Sequence, residues 1–307
     1  MASKTLRNTL LLLAKAAVSS LLLVLIFRKI DVAEIVSHFG EMDPWMFGLS
    51  SLLYIGNLYL TAVRWRMILG SGHPIGPLFS LCLIGAFFNN LLPGSVGGDA
   101  MKAYYLYRDT KEGGKSIASV FLDRYIGFFA MLSIGVVSGA VAFRELAAVK
   151  MEWISPLLFA GFLGASLAVF GLRIGRRFAT VAAFYDFFHD RIRDRSMVVR
   201  AYFLSTLIQT ISIAMVFCIA RGLGQQVSFA ALFVFLPIIF TVIAVPISIS
   251  GLGLRESAFV LLFGLTGVSA ATSTSISFLW FLSVATGSLP GLWEYFRRSR
   301  RKTAPPS

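Results

Sequence analysis

The sequence predicts an all-α polytopic membrane protein built as two inverted repeats, with six full spans plus two broken re-entrant hairpins. Three observations predict it. Mean hydropathy is +0.77 and only 14 % of residues are charged, whereas soluble domains carry about 25 % charge. Six apolar segments, at 9–27, 44–69, 117–143, 153–172, 199–221 and 272–293, reach the roughly 20 residues that a membrane-crossing helix needs. Finally, one motif occurs twice. Pro93, Ser95, Gly98 and Lys102 return as Pro246, Ser248, Gly251 and Arg255, always 153 residues later, about half the length of 307. Two broken apolar segments in corresponding halves are the sequence mark of a transporter-type site at a repeat interface.

The elements follow in order. Lys4 and Arg7 precede the first apolar segment, Lys15 interrupts it, and Arg28 and Lys29 close it. No small-residue cleavage site is evident, so it reads as a retained span rather than a signal peptide. Segment 44–69 ends on Arg64 and Arg66. Residues 75–98 are apolar but contain Asn89, Asn90, Pro93, Gly94, Gly97 and Gly98. Proline removes an amide hydrogen and glycine loosens the helix. Non-helical backbone at membrane depth survives only inside protein or along a wet cavity, so a broken hairpin is expected here. Residues 227–265, with Pro237, Pro246, Gly251, Gly253 and Gly264, repeat the pattern. Eight spans is the alternative count, in which each broken region crosses fully. The halves run approximately over 1–143 and 153–296 of a single transmembrane domain.

Charge sets the expected orientation. Basic residues cluster at 1–8, at Arg64 and Arg66, at 102–115, at 173–200 and at 297–307. All are cytoplasmic if six helices span and both broken regions re-enter, which satisfies the positive-inside rule and places both termini in the cytoplasm. Residues 176–197 interleave Phe178, Phe184, Phe187 and Phe188 with Arg and Asp. They read as an amphipathic cytoplasmic insertion lying on lipid headgroups, with a partner-docking site as the sharper alternative. Residues 297–307 form a basic cytoplasmic tail.

Net charge is +13. In a soluble protein this would suggest nucleic acid; here the cations flank apolar runs, where they set topology and meet anionic headgroups. Nucleic acid is therefore not an expected partner. Cys82 and Cys218 lie inside apolar runs and read as core residues. His38, His73 and His189 are far apart, with no metal-ligand spacing, so neither a metal nor a cofactor is expected. No Gly-x-Ser-x-Gly elbow, phosphate loop or His-Glu-x-x-His motif occurs, and no enzyme is expected.

The chemistry-bearing candidates are polar residues in apolar surroundings. Asp99 and Lys102 follow the first broken region, Asp123 and Arg124 lie two turns into the third span, and Arg255 and Glu256 follow the second broken region. A charge at the bilayer centre costs at least ~2.5–3.5 kcal/mol on insertion scales. Function is the usual reason for tolerating it. The alternative is structural, with Asp99 satisfying Lys102 and Glu256 satisfying Arg255. Gly97 and Gly98 open one helix, and Gly251 and Gly253 another. Freed amides at a helix N-terminus form an anion site, and Lys102 and Arg255 stand one turn on. Lys102, Arg255, Ser95, Gly97, Gly98, Ser248, Gly251 and Gly253 are thus the candidate lipid-phosphate ligands. Asp99, Asp123, Arg124 and Glu256 are candidates for gating or proton coupling, and Asn89 and Asn90 for a polar cavity.

The run from Asn89 to Asp99, followed by Lys102 and then by Leu122-Asp123-Arg124-Tyr125-Ile126-Gly127, resembles the lysylphosphatidylglycerol synthase transmembrane region, a flippase-like family of multi-pass proteins. The resemblance covers nearly the whole chain. In bifunctional members this region is joined to a soluble aminoacyl-transferase domain, which is not expected within the residues after Phe296. The resemblance therefore implies the lipid-translocating half: a flippase-like protein of a bacterial cytoplasmic membrane, moving an anionic phospholipid or a polyprenyl-phosphate-linked lipid between leaflets. Membrane lipids are the expected partners. Two other functions stay open, a scaffold for an envelope-lipid synthase and a lipid-modifying membrane enzyme.

Overall fold

The computed structural model describes residues 32–70, 72–91, 97–148, 150–172, 178–244 and 251–300, with residues 17, 20, 21 and 24. The expected span at 9–27 falls largely outside these residues. So do Pro93, Ser95, Pro246 and Ser248 of the repeated motif.

All regular structure among the described residues is helical. Helix α1 covers Val32–Glu41, α2 Pro44–Leu69, α3 Ile75–Leu91, α4 Gly97–Thr110 and α5 Gly113–Val141. Then come α6 (Phe143–Ala148), α7 (Ile154–Leu172), α8 (Ala179–Arg193), α9 (Arg195–Gly222), α10 (Phe229–Ala244), α11 (Leu254–Gly264), α12 (Ala270–Ser288) and α13 (Pro290–Arg300). Five helical stretches are long and apolar enough to cross a membrane: α2, α5, α7, α9 and the stretch Ala270–Ser299. They match five of the six expected spans. Helices α3 and α10 are apolar but shorter, and each ends where its motif begins.

Local chemistry fixes the ends. Asp43 accepts from the Trp45 amide at 2.8 Å ahead of Pro44, an N-cap followed by a proline whose missing amide costs nothing there. Asp194 caps α9 through the Met197 amide, and Ser269 caps α12 through the Thr272 amide. Helix α2 stops at Gly70, whose φ of +100° is accessible to glycine. Helix α7 leaves Leu157, Leu163, Leu167, Val169 and Leu172 exposed. An apolar helix with so little cover in the protein is solvated by hydrocarbon.

The order long helix, short apolar helix, short helix, long helix occurs twice, as α2–α5 and as α9–α12. The packing is reciprocal. Helices α2 and α9 pack against each other; α2 packs on α12 as α9 packs on α5, and α3 meets α12 as α10 meets α5. The flanking helices follow suit: α1 lies on α12 and α8 on α5. Trp65, Ala62 and Ile68 of α2 are fully buried, as are Val216, Ile219 and Ala220 of α9.

Helix α8 packs part of its aromatic face against the protein. Tyr185, Phe187 and Phe188 are buried. Phe188 stacks on Phe170 of α7 at 3.9 Å between centroids, and Phe184 meets Phe121 of α5 edge-on at 5.2 Å. Phe184, Tyr185 and Phe188 thus find aromatic partners on α5 and α7, where edge and stacked contacts add to burial.

Candidate functional site

The first broken region folds around a glycine contact. A Cβ on Gly98 would lie 1.7 Å from the carbonyl oxygen of Gly85, so α3 and α4 touch backbone to backbone. The Gly98 amide donates to Asn89 Oδ1 at 2.7 Å, which satisfies one of the orphan donors at the start of α4. Asn90 donates to Ser288 of α12 at 3.1 Å. Both asparagines therefore fasten the region down.

One turn beyond Gly98, the Lys102 stem crosses Gly85, where a Cβ would come within 2.9 Å of it. The Lys102 ammonium then sits 4.7 Å from the centroid of the Trp65 ring and 3.7 Å from Asp123 Oδ2. That separation is too long for a hydrogen bond. Asp123 is held instead by Arg64, Nε to Oδ1 at 2.7 Å, while Nη1 of Arg64 donates to Ser205 of α9 at 2.8 Å. Gly127 leaves room for this guanidinium, since a Cβ there would stand 2.9 Å from Nη1. Trp65 donates from Nε1 to Ser119 at 3.1 Å. Arg64, Lys102 and Asp123 are 5 %, 6 % and 2 % exposed, so the cluster is sealed. Asp99 pairs with Arg124, whose side chain is 46 % exposed. That pair forms the open edge of the cluster.

The pairing is thus crossed relative to the structural alternative drawn from sequence: Asp99 takes Arg124, and Lys102 faces Asp123. Arg64, expected among the basic residues that set topology, is instead a buried member of the cluster; its neighbour Arg66 is exposed.

The second broken region is closed on itself. Arg255 donates from Nε to Glu256 Oε1 at 2.9 Å and to Ser277 of α12 at 3.0 Å. Its guanidinium lies 4.6 Å from the Phe281 ring centroid. Oε2 of Glu256 accepts from the Gly253 amide at 2.7 Å. Glu256 therefore completes a capping arrangement at the start of α11. Gly251 and Gly253 take φ of +78° and +80°, the left-handed region that glycine reaches without strain. Here the pair expected as the structural alternative is present. Lys102 faces Asp123 and Trp65, whereas Arg255 faces Glu256, Ser277 and Phe281. Ser95 and Ser248 lie outside them. Gly97 and Gly98 open α4 as expected, with Gly98 buried in the contact with Gly85.

Among the described residues, no group of three or more His, Cys, Asp or Glu side chains gathers at metal-binding range. Cys82 and Cys218 are buried free thiols.

Long apolar helices around buried ion pairs define a multi-pass integral membrane protein. The chain belongs to the family of the lysylphosphatidylglycerol synthase TM region, which matches residues 12–291. It is similar to two UPF0104 membrane proteins of Methanothermobacter thermautotrophicus. One is 24 % identical, over 77 % of this chain and 78 % of the relative; the other is 23 % identical, over 85 % and 89 %. A stretch covering 48 % of the chain is 28 % identical to the glycosyltransferase AglD of Haloferax volcanii, over 24 % of that protein's length.

Proposed function

We propose that the protein binds an anionic lipid by its phosphate at the Arg64–Lys102–Arg124 cluster and passes it between leaflets. One observation carries this. Three cations share two carboxylates, Asp99 and Asp123, so the cluster holds one positive charge in excess. An uncompensated charge inside a membrane bundle is costly, and a phosphate would remove the cost. Arg124 is the open entrance, and Lys102 stands 3.7 Å from Asp123 Oδ2, beyond hydrogen-bonding distance of the carboxylate it faces. The Arg255–Glu256 pair is neutral and satisfied. We therefore narrow the phosphate site to the first half and give Arg255 the task of holding the second broken region in place.

Two finer features support translocation rather than simple binding. The recurring element order and reciprocal packing fit two halves related by a two-fold axis in the membrane plane, the architecture that alternates access by rocking one half against the other. The basic clusters fit cytoplasmic termini and re-entrant broken regions. Asp99 and Asp123 are the groups that would gate the cations, with movement passive or coupled to an ion gradient. The relatives named above are archaeal, so the proposed location is a cell membrane rather than a specifically bacterial one.

The test is native mass spectrometry of the purified full chain. Co-purified anionic phospholipid, lost in Arg124→Gln, supports the proposal; equal retention of zwitterionic lipid contradicts it. The similarity to part of a glycosyltransferase favours one other reading, a membrane subunit serving an envelope-lipid synthase. Capture of such an enzyme together with an absence of lipid movement in vesicles would establish it.

A further inference from the structure

A groove of about 870 Å³ runs between α5, α9 and α10, away from the charged cluster. Ile134, Val137 and Val141 of α5, Ala230 and Phe233 of α10 and Thr206 of α9 line it. Among the described residues, no charged side chain lines it.

Four of the six side-chain hydroxyls in its wall are committed to main-chain carbonyls; those of Tyr202 and Ser228 also line it. Ser133 donates to the Phe129 carbonyl, Ser138 to those of Ile134 and Phe233, Thr206 to that of Tyr202 and Thr266 to that of Phe263. These side chains turn their donors into backbone and present carbon to the groove. Its rim includes Val137 and Val141, 65 % and 85 % exposed, on a helix long and apolar enough to cross a membrane. The groove therefore opens sideways to hydrocarbon.

The groove is also aligned with the cluster. Asp123, Gly127, Ala130, Ile134, Val137 and Val141 fall on one stripe of α5, because residues three and four apart share a helix face. From Asp123 to Ile134 the stripe runs about 16 Å at 1.5 Å per residue. One leaflet's hydrocarbon is about 15 Å thick, half of a ~30 Å core. Thr206, which lines the groove, directly follows Ser205, the residue that accepts from Arg64. Phosphate at the cluster and tail in the groove are thus separated by no more than one lipid's length.

We infer that the groove is a binding slot for one acyl chain of a phospholipid. The choice of phospholipid rests on the proposed headgroup site: a phosphodiester carries one negative charge, matching the single charge in excess. The slot itself rests on the wall chemistry alone. It would hold a chain in register with the cluster while the headgroup moves.

The experiment uses the full chain in nanodiscs containing phosphatidylglycerol with a photoreactive group in mid-chain, followed by peptide mapping of the adducts. Labelling concentrated on 133–142 and 230–235, above that on exposed α7, is expected. Ala230→Trp should fill the slot and cut groove labelling about tenfold, the effect of withdrawing roughly two methylenes from contact. Val137→Trp, on α5, should do the same, so misfolding of one variant leaves the other as the test. Labelling spread evenly over the groove and α7 overturns the slot. Selective labelling by photoreactive polyprenyl phosphate in place of phosphatidylglycerol overturns the choice of a phospholipid. The headgroup site is read separately. If Arg124→Gln leaves groove labelling unchanged and a phosphatidylcholine probe labels equally, the slot stands and the proposed phosphate site fails.

Discussion

Arg64 closes on Asp123 across α2 and α5, Nε to Oδ1 at 2.7 Å, with both side chains at most 6 % exposed. The pair ties the two long helices of the first half together, and through Ser205 it ties them to α9 of the second. Lys102 approaches the same carboxylate from α4. A single acid thus holds the long helices and one broken region in register.

Arg64→Ala should destabilise the protein by ~3–5 kcal/mol, because it strands a buried carboxylate. Arg66→Ala, two residues on and exposed, should stay within about 0.5 kcal/mol. Thermal unfolding in detergent compares them directly. Equal effects would mean that the Arg64–Asp123 contact is not structural.

Gly98→Ala should abolish a monodisperse folded species. The added methyl would meet the Gly85 backbone at 1.7 Å, and a main-chain oxygen cannot swing aside as a side chain can. The cost should reach or exceed the ~3 kcal/mol common for overpacking. Gly164→Ala, with nothing within 4 Å, is the matched control, and size-exclusion chromatography reads both.

Arg255→Ala and Arg124→Gln should separate structure from binding. The first leaves Glu256 buried and unpaired, and should cost ~3–5 kcal/mol in stability without changing which lipid is retained by the remaining folded protein. Arg124 is half exposed, so its loss should cost at most about 1 kcal/mol yet reduce retention of anionic lipid. Melting temperature and native mass spectrometry on both variants check the contrast; lipid loss in Arg255→Ala alone would reverse the assignment.

Reporter fusions after residue 2 and at residue 307 should both read cytoplasmic. The proposed topology puts every basic cluster on the cytoplasmic side, which needs an even number of crossings, three in each half. Opposite sides for the two ends would contradict the inverted arrangement.

The long helices were legible because hydrocarbon imposes one simple demand, about 20 apolar residues in succession. Segments 44–69 and 153–172 match α2 and α7 within a residue. Charge partners were less legible. Asp99 and Lys102 stand three apart, which places them on one helix face, but the crossing of α4 on α5 hands Asp99 to Arg124 and leaves Lys102 to Asp123. The path of the Lys102 stem in turn depends on Gly85 of α3, which no motif marks. Arg64 resembled a flanking cation because it lies near the end of its segment. The available signal was its position, five residues before Leu69 and beside Trp65, still within the apolar run. The aromatic face of α8 was visible in the sequence, but its partners on α5 and α7 were not, since headgroups and protein rings accept the same face.

Movement of a fluorescent phosphatidylglycerol across proteoliposomes, read by quenching of the outer leaflet, is the most direct measurement. Wild-type protein should make the inner-leaflet probe accessible. Lys102→Gln and Arg124→Gln, folded by melting temperature, should slow it about tenfold or more, as loss of a charged hydrogen bond of ~1.5–3 kcal/mol implies. Phosphatidylcholine should move more slowly than phosphatidylglycerol. Wild-type rates in both variants, or equal rates for the two lipids, would contradict a phosphate site at this cluster.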